Sequence, residues 1–136
     1  MGYVYTDITL MNAMDVVNAR HGAIPEPEIR QTTVQAMVDT GAATLIINDA
    51  IRQELGLMVR REEEVTLAND TAETVKVTDP IEVHWKDREM VCQPWVISDS
   101  GEVLLGAIPL ENMDLIVDPK QQAVVGRHGD RPIGRA

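Results

Sequence analysis

The sequence has no phenylalanine, and aromatic residues of all kinds make up only 3% of its 136 positions. A hydrophobic core must therefore come from aliphatic side chains. Val, Ile and Thr dominate many segments, which favours β-strands over helices. A chain of this length is large enough for one domain with its own core and too short for two.

Basic residues and cysteines are also scarce. The formal net charge of -10 argues against a nucleic-acid partner, which would require basic patches. Cys92 is the one cysteine, so an intrachain disulfide is excluded. No apolar run approaches the length of a membrane span, and the opening MGYVYTDITL lacks the basic start and apolar core of a signal peptide. We therefore expect a cytoplasmic protein with no membrane partner.

Turn signals at short spacing divide the chain into alternating and apolar segments, which is typical of a mainly β domain. The first strand, or two strands broken near Asn12, should cover residues 3–17, and a later strand should run from Gln31 into Asp39. Three hairpins are predicted, turning at Asn69-Asp70, Lys86-Asp87 and Pro119-Lys120.

Two short helices should interrupt the strands. Asn48 is a suitable N-cap for the first helix, and Gly56 is placed to end it. The second helix should cover residues 108–113. The charge run at 60–64 is interpreted as a solvated surface. The domain is predicted over residues 1–125, and the polar, glycine-rich and basic segment 126–136 is expected to be a disordered tail.

A single carboxylate interrupts the most apolar stretch of the chain, QAMVDTGAATLI at 35–46. Burying a charge is unfavourable unless it is paired or hydrogen-bonded. Asp39 is therefore either the corner of a turn or a functional residue. The string Asp-Thr-Gly alone does not decide between them, since any three-residue string recurs by chance.

The wider context of Asp39 carries a family resemblance. An apolar strand, then Asp39-Thr40-Gly41-Ala42, and much later VLLGAIPLE at 103–111 resemble the retropepsin-type aspartic proteases. The likeness is to single-domain bacterial members related to retroviral proteases. The segment LIVDPKQQAVV (115–125) also resembles the closing hairpin of these bacterial enzymes. It implies a small closed β-barrel with one or two short helices, acting as an aspartic endopeptidase on peptides or proteins. It implies no cofactor and no metal.

The resemblance also implies a homodimer, because one chain supplies one carboxylate of the two that form the catalytic dyad. Two carboxylates about 3 Å apart cannot both ionise, so they share one proton, activate a water and protonate the scissile carbonyl. In the family, the Thr40 hydroxyl would bond to the other active-site loop and Gly41 would allow close backbone approach. Ala42 lacks the hydroxyl found in pepsin-like lobes, so we expect an optimum of roughly pH 5 to 7.

Retropepsins close a β-hairpin flap over the bound peptide. By position the flap should be Val65–Val75, with its substrate-binding tip at Ala68, Asn69, Asp70 and Thr71. This tip contains no glycine, unlike the tips of retroviral flaps. An ordinary surface hairpin is the alternative interpretation.

Other candidate sites are weaker. Asp99 is interpreted as a turn residue, since VLLG follows it almost at once. His21, His84 and His128 have no partners at the spacing of metal ligands, so no metal site is predicted. Two other functions remain open: a non-catalytic dimeric peptide-binding or scaffold module on the same fold, and an unrelated β-barrel in which Asp-Thr-Gly is only a turn.

Overall fold

The computed structural model describes residues 3–66, 69–97 and 101–129. Short strands and three α-helices alternate along these ranges. The strands are β1 (Tyr5–Asn12), β2 (Gln31–Val38), β3 (Leu45–Ile47), β4 (Val59–Thr66), β5 (Ala72–Thr78), β6 (Ile81–Trp85), β7 (Arg88–Cys92), β8 (Trp95–Val96), β9 (Leu104–Leu105), β10 (Leu115–Asp118) and β11 (Ala123–Gly126). The helices are α1 (Ala13–Arg20), α2 (Asp49–Glu54) and α3 (Ala107–Asn112), with a 3-10 turn at Glu26–Glu28.

Nine of these strands form one curled sheet in the order β4-β5-β8-β3-β9-β2-β1-β6-β7, so that β4 and β7 are its edges. The strands β10 and β11 form a separate antiparallel hairpin. Strand β9 runs parallel to β2 and antiparallel to β3. It therefore lies between the two strands that the Asp39 loop connects. The mainly β fold with short helices that the sequence predicts is confirmed.

The core is aliphatic, as the composition predicts. Its fully buried side chains are mostly Ile, Leu and Val from the sheet and from the end of α2. Trp85 is the large aromatic exception: it is 5% exposed and its indole N–H donates to the Thr6 hydroxyl at 2.8 Å. This satisfied hydrogen bond explains how a polar ring edge can be buried there.

The beginning of the chain differs from the prediction. Strand β1 ends at Asn12, and residues 13–20 form α1 instead of continuing the strand. The Asn12 side chain accepts a hydrogen bond from the Asp15 amide at 3.1 Å, which caps the helix. The predicted strand through residue 17 is wrong because this cap outweighs the apolar alternation.

The three predicted hairpins and the first helix form as expected. Asn48 caps α2 by accepting a hydrogen bond from the Ile51 amide at 2.9 Å. The charge run at 60–64 is largely exposed and belongs to edge strand β4, where charged side chains discourage pairing with other chains. None of the helices in the described ranges is long and apolar enough to cross a lipid bilayer.

The end of the described chain extends into the segment that the sequence assigned to the tail. Gly126 is the last residue of β11. The Arg127 amide donates to the Asp114 carbonyl at 2.8 Å, and Arg88 donates to the Gly129 carbonyl at 2.6 Å. Residues 126–129 thus take part in tertiary contacts, and residues 130–136 lie outside the described ranges.

Candidate active site

Strand β2 carries the chain directly to Asp39. Its last residues are held on two sides, because the Val38 amide donates to the Val4 carbonyl and the Met37 amide donates to the Val103 carbonyl, both at 2.8 Å. The Asp39 amide then donates to the Leu105 carbonyl at 3.0 Å. The backbone of Asp39 is therefore held by β9 at the point where β2 ends.

The loop from Asp39 to Thr44 is built around Gly106. The Ala107 and Ile108 amides at the start of α3 donate to the Ala42 and Ala43 carbonyls at 2.8 and 3.0 Å. A Cβ atom on Gly106 would lie 2.6 Å from the Ala42 carbonyl oxygen, well inside van der Waals contact. Glycine at this position is what allows the loop to lie directly on the chain that enters α3.

The Asp39 carboxylate has one hydrogen bond in the described part of the chain, from the Gly41 amide to Oδ1 at 3.0 Å. A Cβ on Gly41 would lie 3.2 Å from the same Oδ1 atom. No lysine, arginine or histidine among the described residues forms an ion pair with Asp39. Asp39 is a half-buried residue, and its carboxylate retains acceptor capacity for a group outside the described chain.

Thr40 is exposed next to Asp39 and borders a surface cavity of about 370 Å³. The cavity lies between α3 and β10, where Leu110 and Ile116 contribute to its wall. Ala42, in contrast, is half-buried and serves the loop through its backbone. Asp39, Thr40, Gly41 and Ala42 thus lie in one loop whose backbone is hydrogen-bonded to β9 and to the start of α3.

The hairpin that the sequence identified as the flap is formed by β4 and β5, with Thr66 opposite Ala72. Near its tip, the Asn69 side chain accepts hydrogen bonds from the Thr71 amide at 3.1 Å and from the Thr71 hydroxyl at 2.5 Å. Asp70 adopts a left-handed backbone conformation with φ of 64°. Ala68 lies outside the described residues. Three strands separate β5 from β2 in the sheet.

One cluster of side chains with metal-binding groups does not follow from spacing along the sequence. Glu82, His84 and Glu89 lie together on the β6–β7 hairpin, although only Glu82 is close to His84 along the sequence. The cluster could have been predicted from the alternation within β6 and the tight turn at Lys86-Asp87. Together they place residues 84 and 89 opposite each other.

Comparisons with known proteins agree with this geometry. The family model described as gag-polyprotein putative aspartyl protease matches residues 26–112. Among solved structures, the retroviral protease-like domain of Ddi1 from Leishmania major is similar, with a TM-score of 0.58 and 17% identity over 97% of this chain and 94% of that one. EIAV protease complexed with the inhibitor HBY-793 has a TM-score of 0.50 and 21% identity over 81% of this chain and 86% of that one.

No curated protein matches the sequence. At these low identities, the two solved structures establish the fold, while the family match covers more than half of the chain and includes the whole Asp39 loop, Gly106 and α3. The chain therefore belongs to the gag-polyprotein aspartyl protease family and has a retropepsin-like fold.

Proposed function

We propose that this protein is an aspartic endopeptidase that works as a homodimer, in which the two copies of Asp39 form the catalytic dyad. One carboxylate, ionised, takes a proton from water, and the other donates its proton to the scissile carbonyl. The water attacks that carbonyl, and the tetrahedral intermediate collapses with proton transfer to the leaving amine. The chemistry needs no cofactor.

The observation that supports this proposal best is the environment of Asp39. A structural aspartate at a turn normally uses its acceptor capacity on nearby donors. Asp39 has a hydrogen-bonded backbone, one side-chain hydrogen bond from Gly41 and no cationic partner in the described chain. This leaves the second carboxylate oxygen available to a water and to a second Asp39.

Exposed apolar side chains next to the same loop support the homodimer. Tyr3 is 74% exposed beside the end of β2, and Ile108 is 51% exposed where the start of α3 bonds to the loop. Ile116 is partly exposed on β10, at the cavity that Thr40 borders. A subunit interface would cover such exposed apolar groups, and a twofold axis beside this loop would bring two copies of Asp39 together.

Substrate would bind as an extended peptide between the Asp39 loop and the β4–β5 hairpin, with main-chain hydrogen bonds of the strand-addition type. Asn69, Asp70 and Thr71, together with Ala68, would form the tip that covers it. Asp70 would place a negative charge near the peptide, so substrates with basic residues should be favoured over acidic ones. We also propose a cytoplasmic location.

One observation favours the second candidate, a non-catalytic dimeric module that binds peptides or scaffolds an assembly. The tip lacks glycine, and the two hydrogen bonds from Thr71 to the Asn69 side chain restrain the turn. A less mobile hairpin would open and close more slowly over a peptide. Such a module would have no use for the ionisation of Asp39.

The test is peptide cleavage by the purified protein and by Asp39→Asn, using an unstructured peptide mixture between pH 4 and 8 with products identified by mass spectrometry. Asp7→Asn is the matched control, because Asp7 is an exposed residue of β1. The proposal expects cleavage by the wild type and by Asp7→Asn and none by Asp39→Asn. Intact peptides with a folded, dimeric wild type would favour the binding module instead.

A further inference from the structure

Three side chains with metal-binding groups meet on the outer face of the β6–β7 hairpin. Glu82 and His84 are two residues apart in β6 and so share a face, and Glu89 of β7 is the direct cross-strand partner of His84. The alternate residues of β6 are buried in the core. One carboxylate oxygen from each glutamate and one imidazole nitrogen lie within 4.8 Å of one another.

The distances between these atoms are close to those between ligands of one ion. His84 Nε2 lies 2.9 Å from Glu82 Oε1 and 3.5 Å from Glu89 Oε2. Ligands at the usual zinc distances of about 2.0 to 2.2 Å are about 3.4 Å apart in a tetrahedron. Small side-chain rotations would therefore place all three atoms around a metal ion.

We propose that Glu82, His84 and Glu89 form a binding site for a divalent transition metal of the zinc type, with water completing the coordination. The imidazole favours zinc over magnesium or calcium, which prefer oxygen ligands alone. Two carboxylates balance the charge of a divalent cation, and the formal net charge of -10 attracts cations to this chain.

The surroundings suit a small ion. The three side chains border a surface cavity of about 420 Å³, whose other walls include the apolar Val16, the cationic Arg20 and the acidic Glu26. Glu82 is well shielded, with 12% of its side chain exposed, while Glu89 is 65% exposed. A metal could therefore enter from the Glu89 side and be held against Glu82.

The site is remote from Asp39. Through β1, His84 is level with Thr33 of β2, and Thr33 precedes Asp39 by about 20 Å of extended strand. The metal is thus not a participant in peptide hydrolysis. It would join β6 to β7, an edge strand of the sheet, and so stabilise that edge.

The same contacts without a metal would be an ion pair between protonated His84 and the two carboxylates. Calorimetric titration separates the two interpretations. The full chain is first stripped of metal with a chelator and is then titrated with zinc chloride. The variants are His84→Gln and Glu89→Gln, the second of which replaces an exposed carboxylate with a neutral amide of the same shape and leaves packing intact. His21→Gln and His128→Gln are the control histidine variants.

The proposal expects one zinc ion per chain in the wild type and in both controls. Affinity should fall more than about tenfold in His84→Gln and in Glu89→Gln. Zinc should also raise the melting temperature of the wild type but not of these two variants, and should shift amide resonances of residues 82–91. Absent binding, or equal binding by wild type and Glu89→Gln, would overturn the site. Neither result depends on proteolytic activity.

Discussion

A Cβ atom on Gly106 would lie 2.4 Å from the carbonyl oxygen of Thr44. The close approach follows from the topology, because β9 lies between β2 and β3 and the Asp39 loop must cross directly over its end. The shape of the Asp39 loop therefore depends on a residue distant in sequence from Asp39.

Gly106→Ala should strongly destabilise the protein, because its neighbours are backbone atoms that cannot rotate away. We expect a loss of about 3 kcal/mol or more in the free energy of unfolding, measured by urea denaturation. A loss below about 0.5 kcal/mol would show that the loop can rearrange around a methyl group.

Gly41→Ala provides the contrast. Among the residues that the structure describes, its Cβ would meet only the Asp39 side chain, at 3.2 Å from Oδ1. We expect stability to change much less than in Gly106→Ala, while peptide cleavage falls because the carboxylate is displaced. Equal losses of stability in the two variants would contradict this division between a structural and a positioning glycine.

The sequence predicted this loop better than its surroundings. The path through Asp39 follows from local signals: an apolar strand, a turn triplet, and an apolar segment ending in glycine. The helix after Asn12 was missed because one capping side chain reversed an otherwise strand-like pattern. The cluster around His84 was missed because a cross-strand pairing, rather than sequence spacing, brings Glu89 to it.

The Asp15–Arg30 pair should make stability depend on pH. Arg30 donates to the buried Asp15 carboxylate from Nε and Nη2 at 2.8 and 2.9 Å, and from its backbone amide at 3.0 Å. The Arg30 side-chain hydrogen bonds are the main reason that the pKa of Asp15 is lowered. A lowered folded-state pKa adds stability above the unfolded value of about 3.9, and this is lost as the pH falls through the folded-state pKa.

Asp15→Asn should therefore cost about 1 to 3 kcal/mol at pH 7. The difference from wild type should shrink as the pH is lowered below about 4. Urea denaturation across this pH range measures both effects, with Asp7→Asn as an exposed control. A difference that stays constant down to pH 2 would show that ionisation of Asp15 is not its source.

Arg88 joins the sheet to the end of the described chain. Its side chain is 2% exposed, and its guanidinium donates to the carbonyls of Met113, Asp114 and Gly129 at 3.0, 2.7 and 2.6 Å. The planar, forked guanidinium reaches several acceptors at once, which the single ammonium group of lysine cannot reproduce.

Arg88→Lys should therefore destabilise the protein by about 3 kcal/mol, because buried carbonyls lose their donors. Arg60→Lys, at a largely exposed position in β4, should change stability by less than about 1 kcal/mol. Denaturation curves for the two variants provide the comparison. Equal effects would mean that water replaces the guanidinium at these carbonyls.

The most direct test of a shared dyad is a mixing experiment. A fixed amount of wild type is equilibrated with increasing Asp39→Asn protein, and peptide cleavage is then measured. If each active site needs Asp39 from both subunits, mixed dimers are inactive, and a threefold excess of variant should reduce cleavage to about one quarter under random pairing. Cleavage that stays unchanged while subunits demonstrably exchange would contradict the account, because one Asp39 would then suffice.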